Sequence, residues 1–144
     1  MIVEVVGGSK SQKTHVYKMV EFCVSKLMPK MKYLDITVNL TKPQGAMGYC
    51  CETDNNRTFE IEVDKSQSLR DLLETVAHEM VHVKQYARRE LHPDKHTWMG
   101  RTVNPDDINY WDQPWEIEAH GRQLGLFIRY CEENNLSKYK WTQN

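Results

Sequence analysis

The chain has 144 residues, 40% of them apolar and 27% charged, with a formal net charge of −1. That length suits a single domain spanning residues 1–144 with its own core, and the apolar content excludes wholesale disorder. The balanced charge gives no strong nucleic-acid signal, and the lack of an 18-residue apolar stretch excludes a transmembrane helix. Residues 1–6 lack a basic leader and a long apolar core, so no signal peptide is expected and the location expected is cytoplasmic. Cys23, Cys50, Cys51 and Cys131 contain no C-x-x-C pair. A cysteine zinc ribbon is therefore not expected, and reduced thiols are.

In chain order, Ile2 to Val6 is β-branched and apolar and reads as a first strand, broken at Gly7-Gly8-Ser9. Over residues 12–28, Val16, Met19, Val20, Cys23, Val24 and Leu27 recur at helical offsets, and Pro29 stops the pattern. Residues 34–40 alternate strictly, as a strand with one buried face does. A loop containing Pro43 and Gly45 leads to a third strand over residues 47–52, in which Cys50 and Cys51 point to opposite faces. Asp54-Asn55-Asn56 supplies turn chemistry, and residues 57–63 alternate again, a hairpin signal. Glu60 and Glu62 share the solvent face of that strand.

Ser66 or Ser68 caps the next helix, which carries Leu69, Leu72, Leu73, Val76, Ala77, Met80, Val81 and Val83. A helix so apolar belongs in the core. Yet it also carries Val76-Ala77-His78-Glu79-Met80-Val81-His82. His78 and His82 lie one turn apart on one face, and burying them with Glu79 is costly unless something coordinates them. This is the H-E-x-x-H pattern in which two imidazoles hold zinc and the glutamate serves as general base. His92-Pro93-Asp94 closes the helical pattern. Residues 91–111 show no periodicity and are expected to form an irregular excursion over the site. Asp112-Gln113-Pro114 then opens another helix, in which Gly121 and Gly125 would permit close packing against the histidine helix. Tyr110, Trp111 and Trp115 read as packing residues. In the polar tail, Tyr139 and Trp141 are the candidate anchors.

A catalytic zinc needs a third protein ligand. The metzincin extension is absent, because Gln85 and Arg88 stand where its glycine and third histidine would be. The remaining candidates are His92, His96, Glu116, Glu118 and His120. Glu116, Ala119 and His120 share one helical face, whereas Glu118 points about 200° away from Glu116. Glu116 can therefore face the metal, with His120 supporting a ligand. The reverse assignment, with His120 as ligand, stays open at this point.

The segments Ala77-His78-Glu79-Met80-Val81-His82-Val83-Lys84-Gln85 and Pro114-Trp115-Glu116-Ile117-Glu118-Ala119-His120 resemble the gluzincin group of zinc peptidases. Within it they are similar to the small SprT-like and minigluzincin-type proteins, many of them phage-encoded. The resemblance covers roughly residues 34–90 and 110–128. It implies that Glu116 is the third ligand and that His120 is a supporting residue. It also implies a zincin-like α+β fold: a small, twisted, mostly antiparallel sheet on the active-site helix, an N-terminal helix, a C-terminal glutamate-bearing helix and a peptide-binding edge strand.

The expected function is then zinc-dependent hydrolysis of peptide bonds in a peptide or protein substrate. His78, His82 and Glu116 would hold Zn2+, and Glu79 would act as general base. Tyr110, His96 and His120 are candidates for a second electrophile. The rival expectation is a non-catalytic or latent zinc-binding module, closed by His92 or His96 or blocked by residues 91–109 or the tail.

Overall fold

The computed structural model describes residues 1–42 and 45–143. Pro43, placed in a loop by the sequence, lies outside that range. Strand β1 (Ile2–Val6) ends at Gly7 and Gly8, whose φ values of +82° and +76° turn the chain at little steric cost. Helix α1 (Lys10–Leu27) follows. The Ser9 hydroxyl accepts from the Gln12 N–H, and the Gln12 side chain accepts from the Ser9 N–H, which satisfies two otherwise orphaned donors.

Strands β2 (Asp35–Thr41), β3 (Gly48–Glu52) and β4 (Thr58–Asp64) join β1 in a four-stranded sheet of order β1-β2-β4-β3. Only β3 and β4 pair antiparallel; β1 with β2 and β2 with β4 run parallel. The expectation of a mostly antiparallel sheet is therefore corrected to a mixed one. The reason lies in the connections. A short turn can join only antiparallel neighbours, whereas α1 is a full crossover that returns the chain to run beside β1 in the same direction. The hairpin then places β3 outside β4, so β4 pairs with β2 in parallel.

Alternation places Ile36, Val38 and Leu40 of β2 and Phe59, Ile61 and Val63 of β4 in the core, while Glu60 and Glu62 are exposed as expected. Cys50 is buried and Cys51 less so, and all four cysteines are free thiols. Helix α2 (Leu69–Ala87) is capped by Ser68, whose hydroxyl accepts from the Asp71 N–H at 3.2 Å. From Val76 to Ala87 every residue of α2 is buried, because it lies between the sheet and α3 (Pro114–Glu133). Among the described residues, no helix is long and apolar enough to cross a membrane.

Three local expectations change. Helix α2 stops before His92, at Ala87: Arg89 adopts φ +53° and its guanidinium makes a two-pronged bond to the Glu52 carboxylate at 2.6 and 2.8 Å, which draws the chain out of the helix. The segment after it is less irregular than its composition implies. It holds a hairpin, β5 (Thr97–Trp98) and β6 (Arg101–Thr102), turned by Met99 and Gly100 at φ +50° and +80°. Two short 3₁₀ turns follow, Pro105–Asp107 and Tyr110–Asp112. Finally, Gly121 and Gly125 do not face α2: a Cβ on either would meet nothing within 4 Å. The contact falls to Ala119, which is fully buried.

Of the tail anchors, Trp141 packs between His15 and Phe127 at centroid distances of 5.2 and 6.5 Å, whereas Tyr139 is half exposed. The Trp115 ring is core, as expected, but Trp111 is exposed.

Strand β3 lies tight against α2 at Gly48. A Cβ there would lie 2.6 Å from Thr75 Cγ2 and 3.1 Å from Glu79 Oε1. Replacing Gly48 by Ala is expected to lower stability by about 1–3 kcal/mol through overpacking. Adding Thr75→Ser, which removes the obstructing methyl but keeps the hydroxyl, should restore most of it. Urea midpoints of the single and double variants check this.

Candidate metal centre

Helix α2 carries His78, Glu79 and His82 on the side that turns toward α3, and each is at most 8% exposed. The first turn of α3 brings Glu116 to meet them. Its Oε1 lies 3.1 Å from His78 Nε2 and its Oε2 lies 3.3 Å from His82 Nε2. One ligand atom from each of His78, His82 and Glu116 falls within 4.8 Å of the others, so the three form a group that could hold a metal ion.

The hydrogen bonds behind this group decide its chemistry. The amide nitrogen of Gln85 donates to the Trp115 carbonyl at 3.0 Å and to Glu118 Oε1 at 2.9 Å. Both partners are acceptors, so the orientation of that amide is determined by them. Its Oε1 therefore faces His82 Nδ1, 2.8 Å away, and must accept a proton from it. A neutral imidazole has one donor and one acceptor. With Nδ1–H committed, neutral His82 aims its Nε2 lone pair at the Glu116 carboxylate. Lone pair against carboxylate at 3.3 Å is repulsive unless a cation or a proton stands between them.

His78 repeats the pattern, with Gln123 Oε1 2.8 Å from its Nδ1. Glu118 is itself held by Lys84 Nζ at 2.6 Å and Arg122 Nε at 3.0 Å, so the support of Gln85 is rigid.

The titration directions agree that the cluster is short of positive charge. Burial opposes ionisation of Glu116, yet the hydrogen bonds and charges of His78 and His82 outweigh it and hold the carboxyl far below the usual range. Burial alone would lower His78, but the Glu116 hydrogen bond and the Glu79 charge raise it overall. Burial pushes Glu79 up, against the pull of both histidines.

Tyr110 closes the group from the 3₁₀ turn before α3. Its hydroxyl lies 3.0 Å from Glu116 Oε1 and 3.0 Å from His120 Nε2. Burial, followed by the Glu116 charge, pushes its pKa up, so it remains a neutral donor to the carboxylate. His120 is thus near the group, with its ring 4.5 Å from that of His78, but it bonds Tyr110. His78 and His82 are buttressed instead by Gln123 and Gln85, to which the sequence assigns no role. Helical spacing could have found both. Gln85 follows His82 by three residues, and Gln123 continues the face of Glu116 and His120 at the next turn. Glu118 faces Lys84, away from the cluster. His92 pairs with Asp94 at 3.1 Å, and neither His92 nor His96 belongs to the ligand group.

Two cavities meet at this cluster. One, of about 210 Å³, is bounded by His78, Glu79, His82, Tyr110, Glu116 and Lys95. The other, of about 400 Å³, lies between Met47, Thr75, Trp111, His120 and Gln123. Strand β3 borders both, and its outer edge pairs with no strand among the described residues. No protein-family model, curated protein or solved structure matches this chain.

Replacing Gln85 or Gln123 by Ala should weaken metal affinity by about 10- to 100-fold, the usual effect of losing a ligand's hydrogen-bond partner. Competition against a chromophoric chelator measures it. The Gln85 variant should also lose stability, because Gln85 is fully buried and its loss leaves His82 Nδ1 and Glu118 Oε1 without these partners.

Proposed function

We propose that the protein is a zinc-dependent metallopeptidase. The observation that supports this most is the forced orientation of Gln85, which directs a histidine lone pair and a carboxylate at one point beside a buried glutamate. Two imidazoles and one carboxylate suit zinc better than the harder divalent cations. Donors sharing a tetrahedral zinc are about 3.3 Å apart, close to the 3.1 and 3.3 Å separations of Glu116 from the two rings. Zinc bound there would acidify a water and polarise a substrate carbonyl.

The chain's own groups then do the following. Glu79 takes the proton of the attacking water on a carboxylate oxygen and delivers it to the leaving amine nitrogen. Its burial serves this, since a desolvated carboxylate binds the proton more firmly than a solvated one. Tyr110 holds Glu116 in place; stabilising the oxyanion would require its O–H to leave that carboxylate. The open edge of β3 accepts an extended peptide as an added strand. Gly48, with no side chain, lets that strand lie close against Glu79.

The ligand group favours this reading over a closed structural metal site. Among the described residues it contains three protein donors, which leaves a coordination position for water, and the histidines that would close it lie elsewhere. The tail packs against His15, Arg70 and Phe127 and lines neither cavity beside the cluster.

Changing Glu79 to Gln should reduce peptide hydrolysis by at least about 100-fold, the lower bound for losing a general base, with about one zinc per chain retained. Peptide hydrolysis that survives this change would refute the assignment. Changing Glu116 to Ala should abolish zinc retention on dialysis, as read by atomic absorption.

A further inference from the structure

Lys95 belongs to the segment that the sequence left without a role. It lies in the turn between α2 and β5, at φ +63°, with its N–H donating to the His92 carbonyl. A lysine in the left-handed region is uncommon, and this one is held there by that bond and by the neighbouring Asp94–His96 turn. The side chain is partly buried and borders two adjoining cavities. One is the cavity of the metal-ligand group; the other, of about 110 Å³, lies further along β3 between Tyr49, Cys50, Tyr86 and Pro93.

Its ammonium makes no ion pair within 4 Å among the described residues, although its field reaches the buried Glu79 across the shared cavity. Lys84, by contrast, is paired with Glu90 and Glu118 at 2.8 and 2.6 Å. The carboxylate that borders the small cavity, Glu52, is already neutralised by the two-pronged bond from Arg89. What remains is a recess with two phenol rings on its walls and one ammonium that makes no direct ion pair among the described residues. It is placed so that a strand laid along β3 would run from the metal-ligand group into it.

We propose that Lys95 determines substrate specificity, and that the substrates are peptides carrying a carboxylate that lies in the Tyr49–Tyr86–Lys95 recess on one side of the scissile bond. This rests on the peptidase reading for the scissile bond, but not for the binding preference. The carboxylate is either an acidic side chain or a free C-terminus, which share the same chemistry. The opposite end of the cleft, walled by Met47 and Trp111, carries no such charge requirement.

The test uses the zinc-loaded full chain with Glu79→Gln, which binds peptide without cleaving it, and titrates three peptides of otherwise equal sequence. One has an internal Glu and an amidated end, one an internal Gln and a free C-terminal carboxylate, and one an internal Gln and an amidated end. One or both acidic peptides should bind about twofold to fivefold more tightly than the neutral one, the upper range of a single partly exposed ion pair. Which of the two does so identifies the source of the carboxylate. Lys95→Asn, chosen because Asn tolerates the left-handed conformation, should remove the preference while zinc content is kept. Lys95→Glu should transfer the preference to a peptide with Lys in place of Glu. Equal binding of all three peptides, no binding of any, or a preference that survives Lys95→Asn would overturn the proposal. If the preference is present but wild-type chain cleaves none of the peptides, the specificity proposal stands and the peptidase reading falls. If cleavage occurs at equal kcat/KM on all three, the reverse holds.

Discussion

The structure depends on a confrontation of like electrostatic character: two imidazole nitrogens and a carboxylate, converging between two packed helices. Burying such groups costs several kcal/mol apiece when they are left uncompensated. Helix α2 carries that cost in the middle of its most buried stretch, where ordinary packing would favour Leu or Val. The cost is tolerable only if each polar atom has a partner, and the partners are arranged in layers. Glu116 meets the two Nε2 atoms, the glutamine oxygens meet the two Nδ1 atoms, and the Gln85 amide is in turn fixed by Trp115 and Glu118. Lys84 then balances Glu118. Removing any layer exposes the one inside it. The packing of α2 on α3 is therefore set as much by this chain of hydrogen bonds as by the apolar contact at Ala119.

How much of this was legible depended on the range of the interaction. The H-E-x-x-H spacing is a property of one helix turn, and it placed His78, Glu79 and His82 without help from the rest of the chain. Glu116 required a second helix, yet its face could still be computed from offsets to Ala119 and His120. The sheet was read less well because its hairpin is local whereas its parallel pairings are not. Asp54-Asn55-Asn56 marks β3–β4, but nothing in residues 35–41 states that they will lie beside both β1 and β4. The partner of His120 is illegible for a related reason. Helical spacing showed that it shares a face with Glu116, but Tyr110, ten residues earlier in a 3₁₀ turn without periodicity, takes its Nε2.

The excursion between α2 and α3 is tied down at both ends, and the two ties are chemically different. At its start, Arg89 is bonded to Glu52 at the far end of β3; at its finish, Tyr110 is bonded to Glu116 at the metal-ligand group. The segment is thereby fastened to the strand that forms one wall of the cleft and to the carboxylate at its floor. The Arg89 tie is partly exposed and gains little from a low dielectric. The Tyr110 tie is one hydrogen bond from a half-exposed phenol to a buried carboxylate, whereas the Arg89 tie is two-pronged. The segment cannot leave either wall of the cleft without breaking a bond to a carboxylate, and Glu116 is held by Tyr110 as well as by the two histidines.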